Sequence, residues 1–509
     1  MPEPDDPLLH HWLQHSAEKW GASPAIVEDD RVTTFSQLFE DASSLAQALA
    51  ARGLSKGDRV ALVLPKTTEA ITSLFAVLMA GAIYVPIQPR WPGGRIEATI
   101  ENCAPRFVVK ESESGLVVVD RIGNEQLPWR DLMATSPHPC PEQDIAPDDP
   151  AFILFTSGST GKPKGVVISH RAVGAFVKWS AEEFQLHHED RIASPSPLSF
   201  DLSTFDIFNM ALTGAACILV PEQIAWMPRF LTQFVRRQRI SAWYSVPSIL
   251  AGMLNEGGFS NGSYPDLRVI LFAGEVFAGR HLAKLQAAVP HARCVNLYGP
   301  TETNEITWYP VPSGFDASMP IPIGRACPYA EVMMDPASGQ LLARGESVMN
   351  GYWNRPQETE QAFTTVAGKR FYCTGDRVCL NESGDYVFLD RIDRQVKRRG
   401  FRIELGEIEA ALLRHAEVLE AAAIACKDLE SQTVIAAFVR RRPESALSLV
   451  DVKTFCARFL PSYAMPDRVL FVETMPKGSR GKIDYAVLKN LYAEKTSDEH
   501  PGGSPRVHS

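Results

Sequence analysis

Apolar residues recur along this chain in two alternating periods. Residues 36–49 carry Leu38, Phe39, Ala42, Leu45 and Leu49 at helical spacing. Short apolar runs at 59–64, 83–87, 107–109, 151–155, 166–168, 216–220, 242–246 and 269–272 have the length of buried strands. Helices alternating with such runs predict parallel sheets covered by helices, an α/β architecture. Residues 70–89 carry no charge and approach the length of a membrane span. Leu74, Val77, Leu78 and Gly81 suit a helix, and Ile83–Ile87 suit a strand, so the segment reads as a buried helix-to-strand passage. Residues 136–150 hold five prolines and three aspartates and read as a surface connector.

The pattern changes near Asp390. Residues 390–409 are dense in charge. A helix with Ile408, Ala411 and Leu412 on one face follows, then strands at 420–426 and 433–439. A second helix places Val452, Phe455, Cys456 and Phe459 together. This is a compact α+β module of roughly 110 residues, large enough for its own core. The expected organisation is a large N-terminal domain over 1–392, a small mobile C-terminal domain over 393–495 and a disordered tail over 496–509.

Composition narrows the function. A chain of 509 residues predicts two or more domains. A net charge of −9, with no basic stripe carrying interleaved aromatics, argues against nucleic-acid binding. The nine cysteines are scattered and form no Cys-x-x-Cys pair, as expected of reduced thiols. The acidic N-terminus lacks a signal-peptide pattern. The expected location is cytoplasmic, without a membrane partner.

The most informative local chemistry lies between the runs 151–155 and 166–168. Thr156-Ser157-Gly158-Ser159-Thr160-Gly161-Lys162-Pro163-Lys164-Gly165 offers many backbone N–H groups, hydroxyls and two ammonium groups. Such a loop is either a flexible turn or a phosphate cradle. It is not a Walker loop, because Pro163 follows the first lysine and a strand, not a helix, comes next. A P-loop kinase or ATPase is thereby disfavoured.

The decamer resembles the phosphate loop of the adenylate-forming superfamily, which includes acyl-CoA synthetases and peptide-synthetase adenylation domains. Further stretches resemble that family's signatures, in its order, from about Phe35 to Leu488. They are Ser199-Phe-Asp-Leu-Ser203, Asn296-Leu-Tyr-Gly-Pro-Thr-Glu302, Tyr372-Cys-Thr-Gly-Asp376, the Asp390 segment, Leu460-Pro-Ser-Tyr-Ala-Met-Pro466 and Arg480-Gly-Lys-Ile-Asp484.

The resemblance implies that a carboxylate attacks the α-phosphate of ATP with Mg²⁺ as cofactor. Joining an anion to a polyanion calls for positioned counter-charge. The implied nucleotide residues are Thr156, Ser157, Gly158, Ser159, Thr160, Gly161, Lys164, Gly274, Glu275, Asn296, Tyr298, Gly299, Thr301, Asp376, Phe388 and Arg391. Tyr298 would stack on adenine, Thr301 would bond the α-phosphate and Asp376 would accept from the ribose hydroxyls. Bland alternatives are a core tyrosine, a turn aspartate after Gly375 and, for Arg391, a surface salt bridge. Glu302 would hold Mg²⁺ through oxygen, or else serve as a helix-cap carboxylate. Lys482, with Thr301 and Glu302, would be catalytic. The small module would swing about Asp393 to admit a phosphopantetheine thiol in the second half-reaction.

Asp201 matches the family position that pairs with an α-ammonium, which implies an amino-acid substrate. The implied side-chain pocket is Leu202, Phe205, Tyr244, Leu271, Ala273, Leu297, Glu305 and Ile306. This set resembles that of stand-alone prolyl-activating enzymes except at Glu305 and Ile306. Glu305 could face the pocket, selecting a hydroxylated or diamino acid, or face solvent. Transfer to a separate carrier protein is expected, because no carrier-type segment is recognisable. An acyl-CoA synthetase is the runner-up within the family. A non-catalytic nucleotide binder is disfavoured by the presence of Lys482 and Glu302.

Overall fold

The computed structural model describes residues 6–134, 143–156, 163–259, 262–428, 433–477 and 483–499. Contacts group the chain into two units. The first holds 1–89, 99–155 and 164–392, and the second holds 90–98, 156–163 and 393–509.

The first unit is built on three sheets. In the eight-stranded sheet, Pro150–Thr156, Ile83–Ile87, Arg59–Val63 and Phe107–Ser112 lie side by side. The register pairs Val60 with Tyr84 and with Phe107, all parallel. The nine-stranded sheet orders Arg293–Tyr298, Val269–Phe272, Ala242–Ser245, Arg191–Ser194 and Ala216–Leu219 at its centre. Every one of these central pairings is parallel. Four-residue strands buried on both faces read as continuous apolar runs, which is why periodicity finds them. The uncharged 70–89 segment is a buried helix, Thr68–Met79, followed by the strand Ile83–Ile87. No helix among the described residues is long and apolar enough to cross a membrane.

Helix starts follow local chemistry. Helix Phe35–Ala50 opens with a capping box: Gln37 N donates to Thr34 Oγ1 at 3.3 Å and Thr34 N donates to Gln37 Oε1 at 3.0 Å. Helix His170–Glu183 is capped by Ser169, whose hydroxyl accepts from Ala172 N.

The third sheet departs from the parallel pattern. Ala330–Met334, Gln340–Gly345, Lys369–Leu380, Phe363–Val366 and Tyr386–Arg391 pair antiparallel throughout. Its strands alternate buried and open positions, so they carry no continuous apolar run.

The second unit is an α+β module. Strands Val418–Lys427 and Thr433–Arg441 pair antiparallel, and Arg468–Phe471 adds parallel to the latter. Side chains alternate between two small cores, as a period of two requires. Ala421, Ala423, Ile435, Ala437 and Val439 pack with Ile408, Leu412 and Val452. Ala422, Ile424, Ala436 and Phe438 pack with Met475 and Leu488. The helix Leu449–Cys456 ends before Phe459, which packs from a turn. The last helix runs Tyr485–Glu499 and so extends into the segment expected to be a tail. Leu488, Leu491 and Tyr492 face the second core, which holds that helix in place.

Candidate active site

Of the residues singled out for the nucleotide, Tyr298, Asp376 and Arg391 meet where a strand of the nine-stranded sheet ends beside the antiparallel sheet. Tyr298 ends the strand Arg293–Tyr298. Its hydroxyl donates to Asp376 Oδ2 at 2.5 Å. Asp376 and Arg391 are cross-strand partners, and Arg391 Nη1 donates to Asp376 Oδ1 at 2.6 Å. Asp376 N donates to Thr374 Oγ1 at 3.1 Å, which fixes the carboxylate's strand. Asp376 is therefore a buried, charge-paired carboxylate and not an exposed turn residue. Arg391 is likewise mostly enclosed, not a surface ion pair. The Tyr298 ring packs with Ile306, Ile323, Leu341 and Val378. Burial, and then the neighbouring Asp376, push its phenol well above the usual tyrosine range.

The chain turns sharply after Tyr298. A Cβ on Gly299 would stand 1.6 Å from Asn304 O, so only glycine fits. Asn304 adopts φ of 51°, a left-handed value that asparagine tolerates. Ile306 N returns a hydrogen bond to Tyr298 O at 2.8 Å. This tight loop presents three consecutive functions. Thr301 Oγ1 donates to Asp201 Oδ2 at 2.7 Å. Glu302, fully buried, accepts from Tyr352 Oη at 2.8 Å. Glu305 accepts from Tyr244 Oη at 2.5 Å.

Tyr352 is a residue that the sequence motifs do not flag. Lys164, at the end of the glycine-rich loop, sits 3.8 Å from its ring centroid. Tyr352 thus links a cation of that loop to the Glu302 carboxylate. The loop residues Ser157, Gly158, Ser159, Thr160 and Gly161 lie outside the described residues, as does Lys482. Thr156 ends the strand that enters the loop.

Other implied nucleotide residues have structural partners here. Asn296 Nδ2 donates to Pro322 O at 2.8 Å. Glu275 Oε2 accepts from Ser248 N at 3.1 Å, in the first turn of helix Pro247–Asn255. Gly274 has φ of 89°, which suits glycine. Phe388 packs beside the Tyr298 cluster.

Asp201 lies in the turn before helix Ser203–Thr213. Leu202 N donates to its Oδ1 at 2.9 Å, and Thr301 takes its Oδ2. The carboxylate is only half-buried, as a group that meets a ligand must be. Leu202, Phe205, Tyr244, Leu271, Ala273 and Leu297 belong to one apolar cluster. Tyr244 and Leu271 are register partners, and the Phe205 and Tyr244 rings meet edge-on at 5.4 Å. Ile306 is placed elsewhere: its side chain joins the Tyr298 cluster, because the hairpin turns successive residues to opposite sides. Glu305 faces inward. At 4% exposure it accepts from Tyr244 and does not face solvent.

The arrangement fits Mg²⁺ only in part through protein. Glu302 is a hard oxygen donor, and among the described residues no group of three His, Cys, Asp or Glu could hold a metal alone. Phosphate oxygens and water would have to complete the shell, as magnesium on a nucleotide requires.

The chain is similar to known proteins over most of its length. A family model described as AMP-binding enzyme matches residues 13–353, and one described as AMP-binding enzyme C-terminal domain matches 407–482. An L-proline–[L-prolyl-carrier protein] ligase from Pseudomonas fluorescens is 36% identical, covering 94% of this chain and 98% of that protein. The ligase of the same name from Streptomyces coelicolor is 33% identical over 92% of this chain and 93% of its own length. The Vibrio cholerae adenylation domain AlmE, solved with glycyl-adenosine-5'-phosphate, superposes with a TM-score of 0.80 at 24% identity, covering 96% and 98% of the two chains. That likeness establishes the fold.

Proposed function

The chain belongs to the AMP-binding enzyme family, and from that premise we propose that it is an amino acid–carrier protein ligase acting on L-proline or a close relative. The carrying observation is Asp201, a half-buried carboxylate next to Leu202 of the apolar cluster and hydrogen-bonded to Thr301 of the nucleotide loop. A carboxylate there matches a substrate ammonium and rejects acids that lack one. The two prolyl-carrier protein ligases, similar over nearly their whole length, support proline as the ring to fit that pocket.

In the first half-reaction a carboxylate oxygen of the amino acid bonds to the α-phosphorus of ATP, and the bond to pyrophosphate breaks. Asp376, oriented by Arg391 and Tyr298, accepts the ribose hydroxyls. The Thr301 hydroxyl, which donates to Asp201 in this structure, turns its one proton to the α-phosphate when the substrate ammonium takes over Asp201, and Lys164 neutralises phosphate charge from the glycine-rich loop. Glu302 would hold Mg²⁺, which would supply further neutralisation of the phosphate charge. Lys482 bridges the substrate carboxylate and the reacting phosphate. In the second half-reaction a phosphopantetheine thiol of a separate carrier protein forms a thioester with the acyl carbon, and AMP leaves. The family's acyl-CoA synthetases would use coenzyme A here.

A pyrophosphate-exchange screen across amino acids, with holo-carrier protein and coenzyme A as competing acceptors, tests this reading. Exchange with proline or a substituted proline, and acyl transfer to the carrier, is the expected result. Exchange only with acids that lack an amine, followed by transfer to coenzyme A, would overturn it.

A further inference from the structure

Lys66 lies outside every motif considered above. It sits between the strand Arg59–Val63 and the buried helix Thr68–Met79. Its ammonium reaches inward to another sheet. It donates to Ser194 O, to Ser194 Oγ at 3.0 Å and to Ser196 O at 2.7 Å. Ser194 ends the strand Arg191–Ser194, and Ser194-Pro-Ser-Pro-Leu-Ser199 leads from it directly to Phe200 and Asp201.

The strand ladder holds only the start of that segment, where Ser194 O accepts from Val220 N at 3.2 Å. Pro195 and Pro197 have no N–H to donate. The residues before them are pushed to extended conformations. The Lys66 ammonium adds donors to Ser194 and Ser196 where the ladder thins. The far end of the segment meets the same charge. Asp206 lies in the first turn of helix Ser203–Thr213 and is 1% exposed. Burial pushes its carboxyl up, and Lys66 is the cation that opposes the shift and favours the ionised form. Burial pushes Lys66 down, and Asp206 opposes that shift first. One enclosed ammonium therefore acts on both sides of the turn that carries Asp201.

We infer that Lys66 is a positioning residue for amino-acid recognition: it fixes residues 194–199 so that Asp201 stands where the substrate ammonium arrives, with Asp206 as its counter-charge. This rests on the reading of Asp201 as the ammonium partner. Lys66 touches neither substrate. It acts through the backbone that presents Asp201.

Three variants of the full chain test it: Lys66→Met, Lys66→Arg and the pair Lys66→Met with Asp206→Asn. The double variant matters because Lys66→Met alone leaves a buried carboxylate without its counter-charge and could unfold the protein. Circular-dichroism melting checks folding, and pyrophosphate exchange supplies separate KM values for amino acid and ATP. The amino acid is proline and its deamino counterpart is cyclopentanecarboxylic acid. In Lys66→Met and in the folded double variant, the KM for proline should rise about 10²-fold, the scale of an ångström-sized misplacement. The KM for ATP should move far less. The preference for proline over the deamino acid should collapse, and Lys66→Arg should restore part of it. A merely structural role would lower all rates together and leave that preference intact. A folded double variant with wild-type KM and wild-type preference would overturn the proposal while leaving Asp201's role standing. A wild-type enzyme that exchanges the deamino acid as readily as proline would overturn the Asp201 reading and this inference with it.

Discussion

Glu305 is 4% exposed and accepts from the Tyr244 hydroxyl at 2.5 Å, beside the apolar cluster to which Tyr244 belongs. Burying a carboxylate there costs several kcal/mol unless donors surround it. A hydroxylated or amino-bearing relative of proline would bring one. A hydrogen bond to a charged group contributes about 1.5–3 kcal/mol, so Glu305→Val should shift preference toward plain proline by roughly 10- to 100-fold. Exchange rates of wild type and variant across proline, hydroxyprolines and aminoprolines measure this. An unchanged ranking led by a donor-bearing acid would show that Glu305 does not select it. Asp201→Ala should abolish amino-acid activation, while calorimetry still detects ATP binding because Asp376 and Arg391 are untouched. Retained activation by that variant would sink the amino-acid reading. Most of these residues were legible only because their motifs resemble those of the adenylate-forming superfamily. The inward turn of Glu305 was not, because it depends on the clash-tight Gly299 loop and the left-handed Asn304. Tyr352 and Lys66 were not legible either. Each is one polar residue between apolar elements, and their partners, Glu302 and Ser194–Ser196, lie 50 and about 130 positions away.

At the scale of elements, buried parallel strands announced themselves as apolar runs, whereas the antiparallel sheet around Asp376 did not. Its half-open strands carry charges on alternate positions, such as Arg377 and Asp390, which pair across Lys369–Leu380 and Tyr386–Arg391. The helix His170–Glu183 shows how an element couples to pH. His170 is buried at its first position, and its Nδ1 accepts from Leu9 N at 3.3 Å, which requires a neutral ring. Burial drives its pKa down from 6.5 to about 4. The unfolded chain therefore binds a proton in that window that the folded chain excludes. Stability is full above pH 6.5 and falls as pH drops toward 4, by on the order of 3 kcal/mol from this group. His170→Gln should flatten the difference between melts at pH 7.5 and pH 5. An equally steep loss of melting temperature in the variant would show that other groups govern the acid transition.

At the scale of the whole molecule, two half-reactions must share one nucleotide site. The grouping of contacts changes between Ile392 and Asp393, and Gln395 N donates to Asp393 Oδ1 at 3.1 Å in a short turn. A residue in a turn between two packed units is where a backbone rotation costs least, which supports Asp393 as the hinge. Lys482 lies beyond that point in the chain and is assigned to adenylation only. Losing one preorganised charge costs roughly 10²–10³-fold, so Lys482→Ala should lose that much in pyrophosphate exchange. Transfer from a supplied aminoacyl-adenylate to the carrier should change far less. The hinge makes a complementary demand. Proline at 393 would fix φ near −65° and remove the N–H, which narrows the rotation available there. Asp393→Pro should therefore spare whichever half-reaction its frozen geometry suits and depress the other. Single-turnover adenylate formation and thioester transfer, measured separately, give the ratio that reports this. Lys482→Ala and Asp393→Pro with that ratio unchanged from wild type would refute alternation about this point, even if both variants were slower overall.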